Sequence, residues 1–225
     1  MSKRNKTKNS GEPVRADAPK SAKLKKHKSV FREYTEAILW AVVLALLIRT
    51  FAFQAFRIPS SSMEDTLLIG DYLFVSKFLY GAEIPFTHGA RLPAVRQPHR
   101  GDIIVFRYPE DPSVDYIKRC VAVEGDTLLF RDKTLYINGK AQAEPFVKYV
   151  DAGRSHRPGF DSVGPLVVPK GKLFMMGDNR DRSADSRVWG FLDKKYLRGK
   201  ALFLYWSWDS KAKHPRFGRI LHLVK

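Results

Sequence analysis

The chain has 225 residues, 44% hydrophobic and 28% charged, which is ordinary globular composition, with length for one substantial domain plus extensions. Its 40 lysines and arginines against 23 acids leave a formal charge of +17, pointing to an anionic contact such as nucleic acid or a lipid headgroup surface. The single cysteine, Cys120, excludes an intramolecular disulfide and reads as a small buried residue, without fixing the redox compartment.

Residues 1–34 carry eleven Lys or Arg against Glu12, Asp17 and Glu33. With so little to bury, this segment is expected to be a disordered basic tail. Ala37 to Phe56 follows, "AILWAVVLALLIRTFAFQAF", in which only Arg49, Thr50 and Gln54 are polar. About twenty apolar residues span a bilayer, so a transmembrane anchor is expected over 35–56, with Arg49 close enough to its end to snorkel. A cleaved signal fits poorly, because the basic region is long and no A-x-A follows. Lys20, Lys23, Lys25, Lys26, Lys28 and Arg32 precede the span, whereas Arg57 is the only Lys or Arg in the next twenty residues. The positive-inside bias then leaves the tail in the cytoplasm, on anionic inner-leaflet lipid, and residues 57–225 on the far side. Nucleic acid is thereby demoted as a partner.

Next comes "IPSSSMEDTLLIGD", residues 58–71, three serines after a proline, which by itself reads as a polar turn. Beyond it the pattern is β. "GDIIVFRYP" (101–109) and "DYIKRCVAV" (115–123) are short, β-branched and bounded by turn residues. "TLLFRDKTLYINGKAQ" reads as paired strands with a hairpin turn at Asn138-Gly139. "KLFMMGD" and "ALFLYWSWD" supply two more strands, and no long amphipathic helix follows the anchor. Segments 82–100 and 141–166, rich in Pro, Gly, His and Arg, are expected to be long loops or inserted pieces of one mainly antiparallel β domain. Trp189 and residues 203–208 are either core or an apolar face resting in the membrane interface.

A serine nucleophile needs a base. His27, His88, His99, His156, His214 and His222 have no motif-like setting, and the G-x-S-x-G elbow is absent. A buried, neutral lysine can serve instead. In 115–123, alternation assigns Tyr116, Lys118, Cys120 and Ala122 to one face and Ile117, Arg119, Val121 and Val123 to the other. Both faces are apolar, so at least one of the two cations must be paired or desolvated. Periodicity does not say which, but only Lys118 can lose its proton. The third polar cluster, "GDNRDRSADSRVWG" (177–190), fails as a calcium loop, since Ser186 stands where glycine is required and Leu192 where a carboxylate closes the site. It reads as a self-hydrogen-bonded loop that holds its neighbours.

Taken together, "PSSSM…TLLIGD", "RGDIIVFRYPEDPSVDYIKR" and "GDNRDRSADSR" make the chain resemble the bacterial type I signal peptidases over about residues 35–210. The resemblance implies coiled antiparallel β-sheets behind one N-terminal transmembrane helix, and a Ser-Lys dyad without metal or cofactor. On it, Ser62 is the nucleophile and Lys118 the general base. Ser60 joins the Ser62 N–H in binding the oxyanion, and Ser61 is a bystander. Ser183 hydrogen-bonds the lysine amine, and Asp185 supports the loop with Arg187 nearby. Phe56, Ile58, Met63, Leu67, Leu73 and Ile117 are expected to line shallow pockets for small residues at −1 and −3. The expected partners are signal-peptide-bearing preproteins and the lipid bilayer, with the enzyme a monomer in the bacterial inner membrane and its catalytic domain (57–225) extracytoplasmic. Asp65 departs from the family's M-x-P-T-L and leaves the local turn open. Ser62 lies only six residues past Phe56, within roughly 20 Å of the span's end, where a signal peptide presents its cleavage site. A self-cleaving regulatory protease with the same dyad, or a non-enzymatic anchored β domain, are the rival readings.

Overall fold

The computed structural model describes residues 30–87, 89–150 and 160–225. The expected disordered tail falls mostly on residues 1–29, outside the described residues, as do His27, His88 and His156. Residues 30–34 are helical. The chain separates into two units between Trp40 and Ala41, inside helix α1 (Val30–Leu47).

Helix α1 buries none of its residues although most are apolar, the pattern of a helix solvated by something other than water. With the wider turn Ile48–Ala52 it makes 23 residues, long and apolar enough to cross a membrane. The expected span of 35–56 is shifted: Phe53 to Phe56 belong to strand β1 (Phe53–Arg57), which pairs antiparallel with β2 (Asp71–Ser76). Apolar composition does not separate an exposed apolar helix from a strand with one face on a core, and here the two adjoin.

The remaining strands are β3 (Ile103–Arg107), β4 (Asp115–Val123), β5 (Thr127–Arg131), β6 (Thr134–Ile137), β7 (Lys140–Ala141), β8 (Val163–Val167), β9 (Lys172–Met176), β10 (Leu192–Asp193), β11 (Leu197–Asp209) and β12 (His214–Pro215). The larger sheet runs β1-β2-β11-β3-β4-β9-β10, with β12 on β11. The 13-residue β11 pairs with both β2 and β3, and register shifts at Ala201/Phe203 and Leu204/Trp206 bend it. Gly199 permits that close pairing, since a Cβ there would sit 2.2 Å from the Ser76 carbonyl oxygen.

β3 is buried on both faces, which explains its unbroken "IIVF". Ile103 and Val105 join Ile58, Met63, Leu67, Leu73, Val75 and Leu204 in one core, while Ile104 and Phe106 join Tyr80, Cys120, Leu173 and Met175 in another. A third core carries Val121, Ala122, Leu128, Phe130, Phe174 and Met176. Strict alternation in β4 therefore fails at Ala122. Cys120 pairs with Met175 and Ala122 with Phe174, so Val121 is bulged and the strand swaps faces beyond it.

The smaller sheet, β7-β6-β5-β8, contains the expected turn at Asn138-Gly139 and a second tight turn at Asp132-Lys133. All four turn residues have positive φ, as two-residue hairpins require. The expected loop 141–166 is shorter than its composition suggests, because β8 takes residues 163–167 onto β5. Residues 151–159 lie outside the described residues. Among its described residues, the 82–100 segment forms no strand beyond an isolated Glu83–Arg91 bridge.

Candidate active site

The three serines sit in the connection between β1 and β2. Backbone bonds from Ile58 N to Asp71 O (2.9 Å) and Gly70 N to Ile58 O (3.1 Å) close its base. Met63 and Leu67 turn inward, joined by a Leu67 N to Met63 O bond of 2.7 Å. Asp71, fully buried, accepts from Leu68 N (2.8 Å), the Ser207 hydroxyl (2.6 Å) and Arg219 (2.6 Å). A polar run thus has a buried floor and two fixed ends, and the turn becomes a platform.

On that platform Ser62 is 6% exposed, and its Oγ lies 2.7 Å from Nζ of Lys118, itself 4% exposed. Nζ also donates to the Ile117 carbonyl at 3.0 Å. Burial lowers the lysine's pKa to about 8, against smaller opposing pulls from Asp185 and Asp178. Both cations of the β4 dipeptide are buried, but in opposite conditions. Arg119 donates to both carboxylate oxygens of Asp178 (2.8 and 2.7 Å), whereas no carboxylate forms an ion pair with Lys118 among the described residues. The arginine is neutralised and the lysine is desolvated.

Ser60 is exposed, its Oγ 3.4 Å from that of Ser62. Ser61 is half-buried, and its carbonyl accepts from Glu64 N at 3.1 Å. The loop 177–187 closes the other side. Asp185, fully buried, accepts from Gly177 N (3.0 Å) and from the Arg187 guanidinium at both oxygens (2.9 Å each). It also caps the short helix α2 (Ser186–Trp189). Asn179 N donates to the Ser62 carbonyl at 3.1 Å, tying loop to platform. Ser183 is brought to this spot, yet its buried hydroxyl has no partner among the described residues, and the lysine amine bonds Ser62 and Ile117 instead. A Cβ on Gly177 would lie 2.3 Å from Ser183 Oγ and 2.5 Å from the Ser62 carbonyl oxygen, so only glycine fits between them.

The six apolar residues expected to line the pockets are also gathered, but differently from an open lining. Ile58, Met63, Leu67, Leu73 and Ile117 are core residues with Phe56 packed on them, and Met63, Leu67 and Leu73 have no exposed surface. They form the floor beneath Ser62.

A lysine and a serine in contact, held by a loop built on Asp185 and Asp178, is the geometry on which the family comparison bears. The model for "Signal peptidase, peptidase S26" matches residues 31–206. The chain belongs to this signal peptidase family. A signal peptidase I of Pseudomonas aeruginosa is 34% identical over 221 residues, covering 84% of this chain and 78% of its own. One from Bacillus licheniformis is 39% identical over 193 residues, covering 84% and 95%. The crystal structure of a signal peptidase I from Enterococcus faecalis V583 is 33% identical over 48% of this chain and 98% of that one, with a TM-score of 0.39.

Three features of this chain went unread in its sequence. Asp178, paired with Arg119, also accepts from the Thr66 hydroxyl at 2.6 Å and so joins the platform to β4. A strap from the 141–150 segment crosses the loop: Lys148 N donates to Asp178 O, Arg180 N to Lys148 O, and Glu144 accepts from Arg180 at 2.6 Å. The Lys148 amine then reaches Asp65 at 3.0 Å. No periodicity could signal a contact across 83 residues. Finally, Asp65 adopts φ +78°, a conformation closed to proline, so this turn as built here excludes the proline of M-x-P-T-L.

Proposed function

We propose that this chain is a membrane-anchored serine endopeptidase that removes N-terminal signal peptides from exported preproteins. The carrying observation is the buried 2.7 Å contact between Ser62 Oγ and a Lys118 amine whose pKa is lowered to about 8. In the neutral enzyme, Lys118 Nζ takes the Ser62 proton as Oγ bonds the scissile carbonyl carbon. The Ser62 N–H and the Ser60 hydroxyl stabilise the oxyanion, a contribution of roughly 3–4 kcal/mol per donor in comparable sites. Collapse passes the lysine's proton to the departing amine and leaves an ester on Ser62. The same lysine next deprotonates a water, which releases the acyl group and restores the hydroxyl. Ser183 is read as a positioning residue: its unpartnered buried oxygen suits it to hold the amine once Ser62 engages substrate.

The specificity reading is for small residues at −1 and −3, bounded below by the floor of Ile58, Met63, Leu67, Leu73 and Ile117 beside Phe56. The helix over Val30–Ala52 supports a single-pass anchor, and flanking charge supports a cytoplasmic tail with residues 57–225 outside the bacterial inner membrane. We read the enzyme as a monomer. The test is incubation of the full chain with a synthetic precursor and N-terminal sequencing of the product, with Ser62→Ala alongside. A single cut after a small residue, absent in the variant, is expected; cutting that survives Ser62→Ala removes the dyad reading.

A further inference from the structure

The structure carries a concavity whose lining does not include Ser62. It begins as an apolar groove of about 1000 Å³ among Leu46, Ile48, Phe53, Ala55, Phe74 and Phe203, where the apolar helix turns into β1. Thr50, Lys77 and Pro85 line both this groove and a neighbouring polar cavity of about 490 Å³, so the two adjoin. The polar cavity holds Lys77, Arg91, Arg107 and Arg198 against one lining carboxylate, Glu83.

These cations are not equivalent. Arg91 is committed, donating to the carbonyls of Gly81 (2.9 Å), Lys195 (3.1 Å) and Leu197 (2.7 Å). Arg107 and Arg198 share Glu83, with Arg198 also 3.2 Å from Asp115. Among the described residues, the Lys77 amine donates only to the Arg49 carbonyl, at 3.4 Å. Burial first, then Arg198, depress its pKa, as expected for a cation crowded by others. A positive chamber opening into an apolar groove selects an amphiphile with an anionic head.

We propose that this groove and chamber bind one anionic phospholipid, its acyl chains along Leu46, Phe53, Phe74 and Phe203 and its phosphate among Lys77, Arg107 and Arg198. The occupant is lipid rather than free phosphate because the groove supplies the apolar half of the recognition and starts at the polar end of the apolar helix, at headgroup level. The proposal rests on that helix being a membrane anchor.

The experiment reconstitutes the full chain into phosphatidylcholine vesicles and measures motional restriction of spin-labelled phosphatidylglycerol against spin-labelled phosphatidylcholine by electron paramagnetic resonance. Preferential restriction of the anionic label is expected. Lys77→Gln with Arg198→Gln should lower that preference by about tenfold to thirtyfold, at roughly 1 kcal/mol per cation near a membrane surface. Lys211→Gln with Lys213→Gln, which removes the same charge from the exposed turn after β11, should leave it intact. Equal restriction of the two labels in the unmodified chain overturns the proposal without any variant, as does an equal loss in both double variants. Inorganic phosphate that displaces the label and binds the detergent-solubilised chain equally well makes this a free-phosphate site, and also overturns it. Failure of the chain to float with vesicles removes the anchor reading as well, which separates that outcome from loss of the lipid site alone.

Discussion

At the scale of single residues, Lys118 is exceptional for what it lacks. Arg119 beside it is satisfied by Asp178, but Lys118 is 4% exposed and its amine hydrogen-bonds an alcohol and a carbonyl. Free lysine is almost wholly charged at neutral pH, whereas a pKa of about 8 leaves roughly one molecule in ten neutral at pH 7. Protonation removes the base, so activity on a peptide substrate should rise about tenfold per pH unit below pH 7 and level off above about pH 8. Lys118→Arg keeps the charge but cannot accept the proton, and should lose about 10²–10⁴ in kcat/KM. A pH–rate profile of both proteins checks this; an unchanged rate in Lys118→Arg sinks the assignment. The serines divide similarly. Ser60→Ala should cost about 10²–10³ in kcat, as loss of one oxyanion donor does, and Ser61→Ala little. A dead Ser61→Ala beside an active Ser60→Ala would mean the register is wrong.

At the scale of elements, the site depends on backbone positions where a side chain's shape is decisive. Gly177 follows β9 between Ser183 and the Ser62 carbonyl, and a methyl there would press on that carbonyl at 2.5 Å. Gly177→Ala should cost about 1–3 kcal/mol of stability and more than tenfold in kcat, with KM less affected. Denaturant melts and steady-state kinetics measure both, and an unperturbed kcat contradicts the packing described. Asp65 poses the converse case. Proline fixes φ near −65°, but Asp65 sits at +78° and reaches Lys148. Introducing the proline found in many family members should therefore destabilise this chain, by about 1–3 kcal/mol or more. A raised melting temperature for Asp65→Pro would show that the turn readily adopts the other geometry.

At the scale of the whole molecule, the expectation is topological. Five cations from Lys20 to Lys28 precede the helix Val30–Ala52, Arg32 sits in its first turn and Arg57 alone follows closely, so translocation should carry the β domain outward. Protease added to intact spheroplasts should digest or release the chain beyond about residue 57 and leave an N-terminal fragment protected, as immunoblots from each end would report. A protected β domain reverses the orientation and takes the proposed substrate with it.

Much of this was legible from residue order, for a physical reason. A helix long and apolar enough to cross a membrane, strands buried on both faces such as "IIVF", and tight turns such as Asn138-Gly139 are local: composition, period and allowed φ carry them. Three polar stretches, read together, also disclosed the family and the candidate pair Ser62 and Lys118. Tertiary structure alone decided the rest, because it turns on which groups meet across the chain. It assigned Asp178 to Arg119 rather than to the lysine, bulged β4 so that Ala122 changed faces, and moved Phe53–Phe56 from the anchor into β1. It also closed the expected pocket residues into a floor and laid Lys148 against Asp65. Desolvation is a property of the assembled site. The lysine in "YIKRC" becomes a candidate base only where the fold withholds both water and a carboxylate from it.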